Sequence, residues 1–336
     1  MREVASRLAY VTDDEPGIAR HGRTRFRYIR QATGREVRSD ADLARIRALA
    51  VPPAWTDVWI CADPGGHIQA TGRDARGRKQ YRYHAAFRSR RERRKFDQLP
   101  AFGRALGGLR KQIDDDLRSP QLSRERLLAA MVSLLDLTYV RIGNAEYARD
   151  NKSYGLTTLR CSHLDVEGSR LRLRFPGKGG RRFDVECCDP RLARVVRRCQ
   201  ELPGQRLFQY LDDEGAPTPI TSTDVNDYLR GATDIDVTAK TFRTWGASLL
   251  AAEELVAIDP PNSARGAGAA INAALVAVAD RLGNTVAVCR NSYVHPAVLS
   301  EFEQGTIHDR WFEGPKRAAS GLTASERRLL AILPAP

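Results

Sequence analysis

The spacing of apolar positions changes along this chain, and the change marks two regions. Before about residue 85, β-formers alternate or bunch in short runs such as "TRFRYIR" and "DVWICAD". Pro52-Pro53 and Gly65-Gly66 punctuate them, so the runs predict strands. One helix interrupts, "DADLARIRALA", with Ser39 or Asp40 as its cap. From about residue 91 the period becomes helical. Leu127, Met131, Leu134, Leu135 and Thr138 share one face, Ser123 is a ready N-cap, and Gly143 is a stop signal. These features predict a helix over 124–142 with Arg141 in its last turn.

Alternation then returns in "SRLRLRF", where Leu171, Leu173 and Phe175 fall on one side. "PGKGG" and "RRFDVE" follow, which predicts a β-hairpin over 169–186. Further helices are expected at 222–230, 240–257, 263–282, 286–294 and 323–332. There is no internal repeat. The expected fold class is α+β: a small β-rich N-terminal domain, 1–90, followed by a larger, mainly α-helical domain, 91–336. The stretch near 85–95 reads either as a linker or as the first helix of the second domain.

With 336 residues, 42% of them hydrophobic, the chain can bury a sizeable core. The start, "MREVASRLAY", lacks the apolar centre of a leader peptide, and the most apolar stretch, "AALVAVA", is too short to span a bilayer. A cytoplasmic location is expected. The six cysteines form no CxxC pair and the six histidines do not cluster with acids, so no metal site is expected.

Net charge is +13, which favours a polyanionic partner. Much of it lies in "RDARGRKQYRYHAAFRSRRERRK" (73–95), with eleven cations against two acids. A charge run is commonly a solvated face. Here aromatics are interleaved: in a strand Tyr81 and Tyr83 share one face, and Gln80, Arg82 and His84 the other. Arginines beside flat side chains suit a nucleic-acid surface.

One tyrosine raises the question of chemistry. Tyr293 ends a run of small apolar residues in "LGNTVAVCRNSYVHP". A tyrosine hydroxyl is a poor nucleophile at neutral pH unless cations stabilise the developing charge. Lys178 is the first candidate. Lysine accounts for only 7 of 54 basic residues, so the chain uses arginine wherever a fixed charge suffices. A lysine, unlike an arginine, can hand over a proton. Lys178 reads either as a solvated turn residue or as a general acid on a glycine-rich tip. Arg141 has a bland alternative as a helix-terminal cation. Lys240 and Arg243 lie three apart on one helix face, where Arg243 could equally serve a surface ion pair. Asn284, after Gly283, is either turn chemistry or a neutral donor to a phosphate oxygen.

Together these residues describe transfer of a phosphodiester to tyrosine. Two arginines grip the non-bridging oxygens, a further donor completes the clamp, and a lysine protonates the departing sugar oxygen. That chemistry needs neither a metal nor a nucleotide cofactor.

At this point the sequence resembles the bacterial, poxvirus-like branch of type IB DNA topoisomerases. The resemblance is carried by "VPPAWTDVWIC", "GRKQYRYH", "RIGNAEYARDNKSYGLTTLR", "FPGKGG", "KTFRTWGA" and "LGNTVAVCRNSYVHP". It implies a helical domain of the tyrosine recombinase/topoisomerase IB type, and Tyr293 as the nucleophile that takes the DNA 3′-phosphate. Arg141 and Arg243 match the two catalytic arginines, Lys178 the hairpin general acid, and Lys240 a second lysine at the leaving group. Gln80, Tyr81 and Tyr83, with Arg78, Lys79 and Arg82 around them, match a strand that contacts duplex DNA. Poxvirus and eukaryotic members carry histidine where Asn284 stands, whereas bacterial members carry asparagine. The implied enzyme relaxes supercoils through a 3′-phosphotyrosyl link, strand rotation and religation, without ATP. It acts as a monomer on nucleoid DNA, with no membrane partner.

Two other readings compete. A tyrosine recombinase shares the chemistry but usually has histidine three before the second arginine, where this chain has Lys240 in "KTFR". A non-enzymatic DNA-binding protein would use the 73–95 run alone. A phosphate loop at "RGAGAA" (265–270) is disfavoured because no strand precedes it, and its glycines are expected to allow close helix packing.

Overall fold

The computed structural model describes residues 8–212 and 214–334. The first seven residues, most of the "MREVASRLAY" stretch, lie outside the described residues. The chain divides into two compact units between Arg94 and Lys95.

The N-terminal unit holds β1 (Ile18–His21), β2 (Arg27–Arg30), α1 (Asp40–Ala48), β3 (Thr56–Ile60), β4 (Ile68–Arg73) and β5 (Lys79–Tyr83). The strands form one antiparallel sheet in the order β2-β1-β3-β4-β5. Ile18, Val58, Ile60 and Ala70 bury one side of it with Ile46 of α1 and Val37. Ser39 caps α1 by accepting from the Asp42 N–H. The division between units falls inside α2 (Ala85–Asp97), and the basic run 73–95 covers the end of β4, all of β5 and most of α2.

The C-terminal unit contains α3 (Leu99–Leu117), α4 (Arg124–Thr138), α5 (Ala145–Asn151), β6 (Leu164–Glu167), β7 (Arg170–Pro176), β8 (Arg182–Cys188), α6 (Pro190–Gln200), β9 (Gln209–Leu211) and β10 (Pro217–Pro219). It continues with α7 (Ser222–Thr233), α8 (Ala239–Val256), α9 (Ala264–Leu282), α10 (Val286–Ser292), α11 (Pro296–Glu303), α12 (Ile307–Glu313) and α13 (Ala324–Ile332). α4 and α8 are its central helices, with ten of fifteen and twelve of eighteen residues buried. The expected hairpin is β7–β8, and a further strand, β6, extends it to three. Leu171, Leu173 and Phe175 are buried, while Arg172 between them turns outward to Asp184. Among the described residues no single helix is long and apolar enough to cross a membrane.

Three local expectations are corrected. α4 ends at Thr138, because Tyr139 takes the left-handed conformation (φ 55°, ψ 24°). That conformation costs about 1–2 kcal/mol for a residue with a Cβ. Tertiary packing holds it: a Cβ on Gly246 of α8 would lie 2.3 Å from the Tyr139 ring, so only glycine lets the ring in. Arg141 therefore lies beyond the helix, and Gly143 is not its stop. α10 ends at Ser292, with Tyr293 as its C-cap. Gly268 faces open space, so it does not mark close packing of α9; Ile271, Leu275 and Val278 are buried instead.

Candidate active site

The site is assembled where α4, α8 and α9 end or cross. Arg243, in the second turn of α8, is 2% exposed, which rules out a surface ion-pair role. Its Nη1 donates to the Tyr139 carbonyl and its Nη2 to the Leu282 carbonyl at 2.8 Å. One guanidinium thus caps the C-termini of α4 and α9. Its Nε is buried without a hydrogen-bond partner. Burial lowers the pKa of this group and Arg141 lowers it further, while the Tyr293 phenol opposes the shift. The Arg243 guanidinium carbon stands 5.1 Å from the Tyr293 ring centroid. A buried cation with unspent donors and no carboxylate among the described residues is prepared for an anion from outside.

α9 stops at Gly283, whose φ of 62° requires glycine's freedom. That turn presents Asn284, which is 8% exposed. Arg141 donates through Nη2 to Asn284 Oδ1 and, at 3.5 Å, to the Gly283 carbonyl. Asn284 Nδ2 is buried and unpartnered. Thr285 then caps α10 by accepting from the Val288 N–H. Cys289 of α10 reports the convergence. Burial raises its thiol pKa, and the groups that pull it back are Arg243, Asn284, Arg141 and Arg181.

Tyr293 is held through its backbone. Ser248 of α8 accepts from the His295 N–H at 2.9 Å and donates to the Thr244 carbonyl at 2.8 Å. Lys95 donates to the Ser292 carbonyl at 2.7 Å.

Lys178 and Lys240 are placed differently. Lys178 sits exposed on a turn of 3₁₀ helix, Lys178–Gly180, at the hairpin tip, followed by Gly179 and Gly180, both with φ of 76°. Lys240 is exposed in the first turn of α8. Neither makes a hydrogen bond or ion pair among the described residues, and the structure does not bring either against Tyr293. The hairpin itself is tied to the site. Arg181 Nη1 donates to the Asn284 carbonyl, and Phe183 packs over Gly283.

In the N-terminal unit, Tyr81 and Tyr83 stack at 5.8 Å with planes 8° apart, as the shared strand face required. Tyr81 is 42% exposed. The polar residues around them are already engaged. Arg78 and Gln80 donate to Asp74, Lys79 pairs with Asp13 at 2.7 Å, and Arg82 donates to the Ala50 carbonyl. The Arg78 guanidinium holds the Asp74 carboxyl down to about 2.

This chain matches the family described as the catalytic core of eukaryotic DNA topoisomerase I over residues 84–310. It also matches the N-terminal domain of bacterial DNA topoisomerase IB over residues 25–74. The chain belongs to the type IB DNA topoisomerases. DNA topoisomerase 1B of Acanthamoeba polyphaga mimivirus is 34% identical over 269 residues, 78% of this chain and 80% of its own. DNA topoisomerase 1B of Vaccinia virus (strain Copenhagen) is 24% identical over 110 residues, 32% of this chain and 34% of its own. Among solved structures, a site-specific recombinase bound to its substrate aligns over 56% of this chain and 48% of its own, at 13% identity and a TM-score of 0.37.

In this type IB topoisomerase the structure brings Arg141 to Asn284 and Arg243 to Tyr293, while the residues that hold them in place stand outside the sequence motifs. Arg181 carried one usable signal, its position three residues after Lys178 at the same tip. Lys95 was absorbed in the basic run. Ser248 and Cys289 look like ordinary small core residues. Among the described residues no group of three or more His, Cys, Asp or Glu is placed to hold a metal ion.

Proposed function

We propose that this type IB topoisomerase relaxes duplex DNA through attack of the Tyr293 oxygen on a backbone phosphorus. The new P–O bond forms to Tyr293, whose phenolic proton passes to water, while the bond to the 5′ oxygen breaks. The products are a 3′-phosphotyrosyl link and a free 5′ hydroxyl. Arg141, Arg243 and the Asn284 amide take the non-bridging oxygens, where charge builds up in the transition state. Lys178, swung in on the glycine tip, protonates the departing oxygen, with Lys240 assisting. Religation is the reverse: the 5′ hydroxyl attacks phosphorus and Tyr293 leaves. Each step exchanges one phosphoester for another, so no ATP is consumed, and supercoil strain drives rotation in between. Arg78, Lys79, Gln80, Tyr81, Arg82 and Tyr83 contact the duplex from the N-terminal sheet. The enzyme works as a monomer on cytoplasmic nucleoid DNA.

The observation that carries this reading is the buried Arg243 guanidinium beside the Tyr293 ring, its Nε unpartnered, next to an Asn284 amide whose Nδ2 has only the Cys289 sulfur near it among the described residues. Tyr293→Phe tests it. That variant should bind duplex DNA with near-parental affinity, form no covalent adduct on the 3′ side of a nick, and relax no plasmid. Relaxation by Tyr293→Phe would remove Tyr293 as nucleophile.

A further inference from the structure

Arg126 sits where a positive charge is least favoured. It is in the first turn of α4, where free N–H groups already carry partial positive charge. It is 7% exposed. Its Nη1 donates to the carbonyls of Pro120 at 3.2 Å and Gln121 at 3.4 Å, and its Nε is buried without a partner. Burial lowers its pKa, and Arg198 and Arg194 push the same way. No carboxylate pairs with it among the described residues.

Arg126 lines an open cavity of about 640 Å³ together with Arg118, Arg191, Arg194, Arg197 and Arg198. Arg118 and Arg191 are neutralised, by Asp115 at 2.7 Å and by Asp114 at 2.7 Å. The others are not. Arg194 donates to the Pro190 carbonyl, Arg197 to that of Gly168, and Arg198 to that of Pro120. Carbonyls satisfy N–H groups without cancelling charge. Four uncompensated guanidinium groups therefore share one cavity, and one of them is buried.

We propose that this cavity is a binding site for a compact phosphate oligoanion, with Arg126 inside it and the exposed Arg194, Arg197 and Arg198 around its mouth. The planar guanidinium fork matches phosphate oxygens two at a time. A chain of phosphates supplies enough charge for several arginines, which a single carboxylate does not. The volume falls in the range of about 300–1,000 Å³ that holds small ligands. A stretch of duplex backbone would meet the exposed arginines, whereas a short oligophosphate reaches Arg126. The site is separate from the catalytic cluster. Arg126 lies twelve residues before Thr138 on α4, about 18 Å along the axis, and Arg141 follows the Thr138 end.

The test is titration of the full chain with inorganic tripolyphosphate at fixed ionic strength. A Tyr293→Phe background and a saturating short duplex keep the catalytic groups occupied. One tripolyphosphate per chain should bind and raise the melting temperature. Arg126→Met should weaken binding at least tenfold and abolish that rise. Without anion it should melt no lower than its parent, since it removes an unpaired buried charge. Arg194→Gln combined with Arg198→Gln, both exposed, should weaken binding without moving the anion-free melting temperature. This pair decides the matter should Arg126→Met fail to fold. Binding of tripolyphosphate at this cavity only when the duplex is left out would identify DNA backbone as the ligand and overturn the proposal. So would unchanged binding in the variants, or an equal effect from sulfate.

Discussion

Arg141 donates through Nη2 to the carboxamide oxygen of Asn284, and this bond determines what Asn284 has left to offer. With Oδ1 spent, the remaining group is Nδ2, which is buried and unpartnered. An unsatisfied buried donor costs about 1–3 kcal/mol, and an incoming phosphate oxygen removes that cost. The bond thus turns the amide so that its donor, not its acceptor, is left over.

Asn284→Asp separates the two halves of the residue. It keeps the acceptor for Arg141 but replaces the donor with a charge that repels phosphate. Asn284→Ala should slow single-turnover adduct formation about 10²-fold, the usual cost of one lost oxyanion donor. Asn284→Asp should be slower still. If Asn284→Asp matched or exceeded Asn284→Ala, the amide would not be acting as a donor.

Arg243 donates to the carbonyls of Tyr139 and Leu282, so a test of its proposed part in the clamp must also read stability. In Arg243→Lys a single ammonium cannot reproduce the fork, so at least one carbonyl loses its donor. Urea denaturation should show a loss of about 1–3 kcal/mol. Cleavage should fall by at least about 10²-fold while duplex affinity changes little. Near-normal turnover in this variant would contradict the clamp.

The hairpin gives a chemical readout. Lys178→Ala should slow cleavage of an ordinary phosphodiester and be largely rescued when the leaving 5′ oxygen is replaced by sulfur, which departs without a proton. Arg181→Ala should repeat this pattern more weakly, because Arg181 fastens the tip bearing Lys178 to the Asn284 carbonyl. Rescue of Lys178→Ala without rescue of Arg181→Ala would place Arg181 on the phosphate itself. Rescue of neither would remove the general acid.

Much of this arrangement could be read from the chain. Ser123 and Ser39 signalled their helices, and the alternation at Leu171, Leu173 and Phe175 signalled its strand, because caps and periods are local. The end of α4 was not legible. Nothing marks Tyr139 as a left-handed residue, and its conformation comes from Gly246, over a hundred positions away. The site divides the same way. Tyr293, Arg141, Arg243 and Asn284 stand in motifs, whereas Arg181, Lys95 and Ser248 act through main-chain carbonyls and N–H groups that only the fold supplies.

The burial of His295 predicts that the segment bearing Tyr293 is sensitive to acid. It is 5% exposed, meets Phe96 edge-on at 5.2 Å, and caps α11 by accepting from the Ala297 N–H at 3.1 Å. Burial pushes its pKa down to about 4 from an ordinary 6.5, against an opposing pull from Asp97. The folded state therefore favours the neutral ring. This contribution is complete above pH 6.5 and is lost progressively as pH falls toward 4. The gap between the two values corresponds to about 3 kcal/mol. His295→Asn keeps a side-chain acceptor for the cap but does not titrate, so its melting temperature should fall less over that window than the parent's. Because Ser248 binds the His295 N–H, the parent should also lose cleavage activity in the same window, and the variant should retain more of it. Parallel pH profiles for the two proteins would assign the acid sensitivity to other groups.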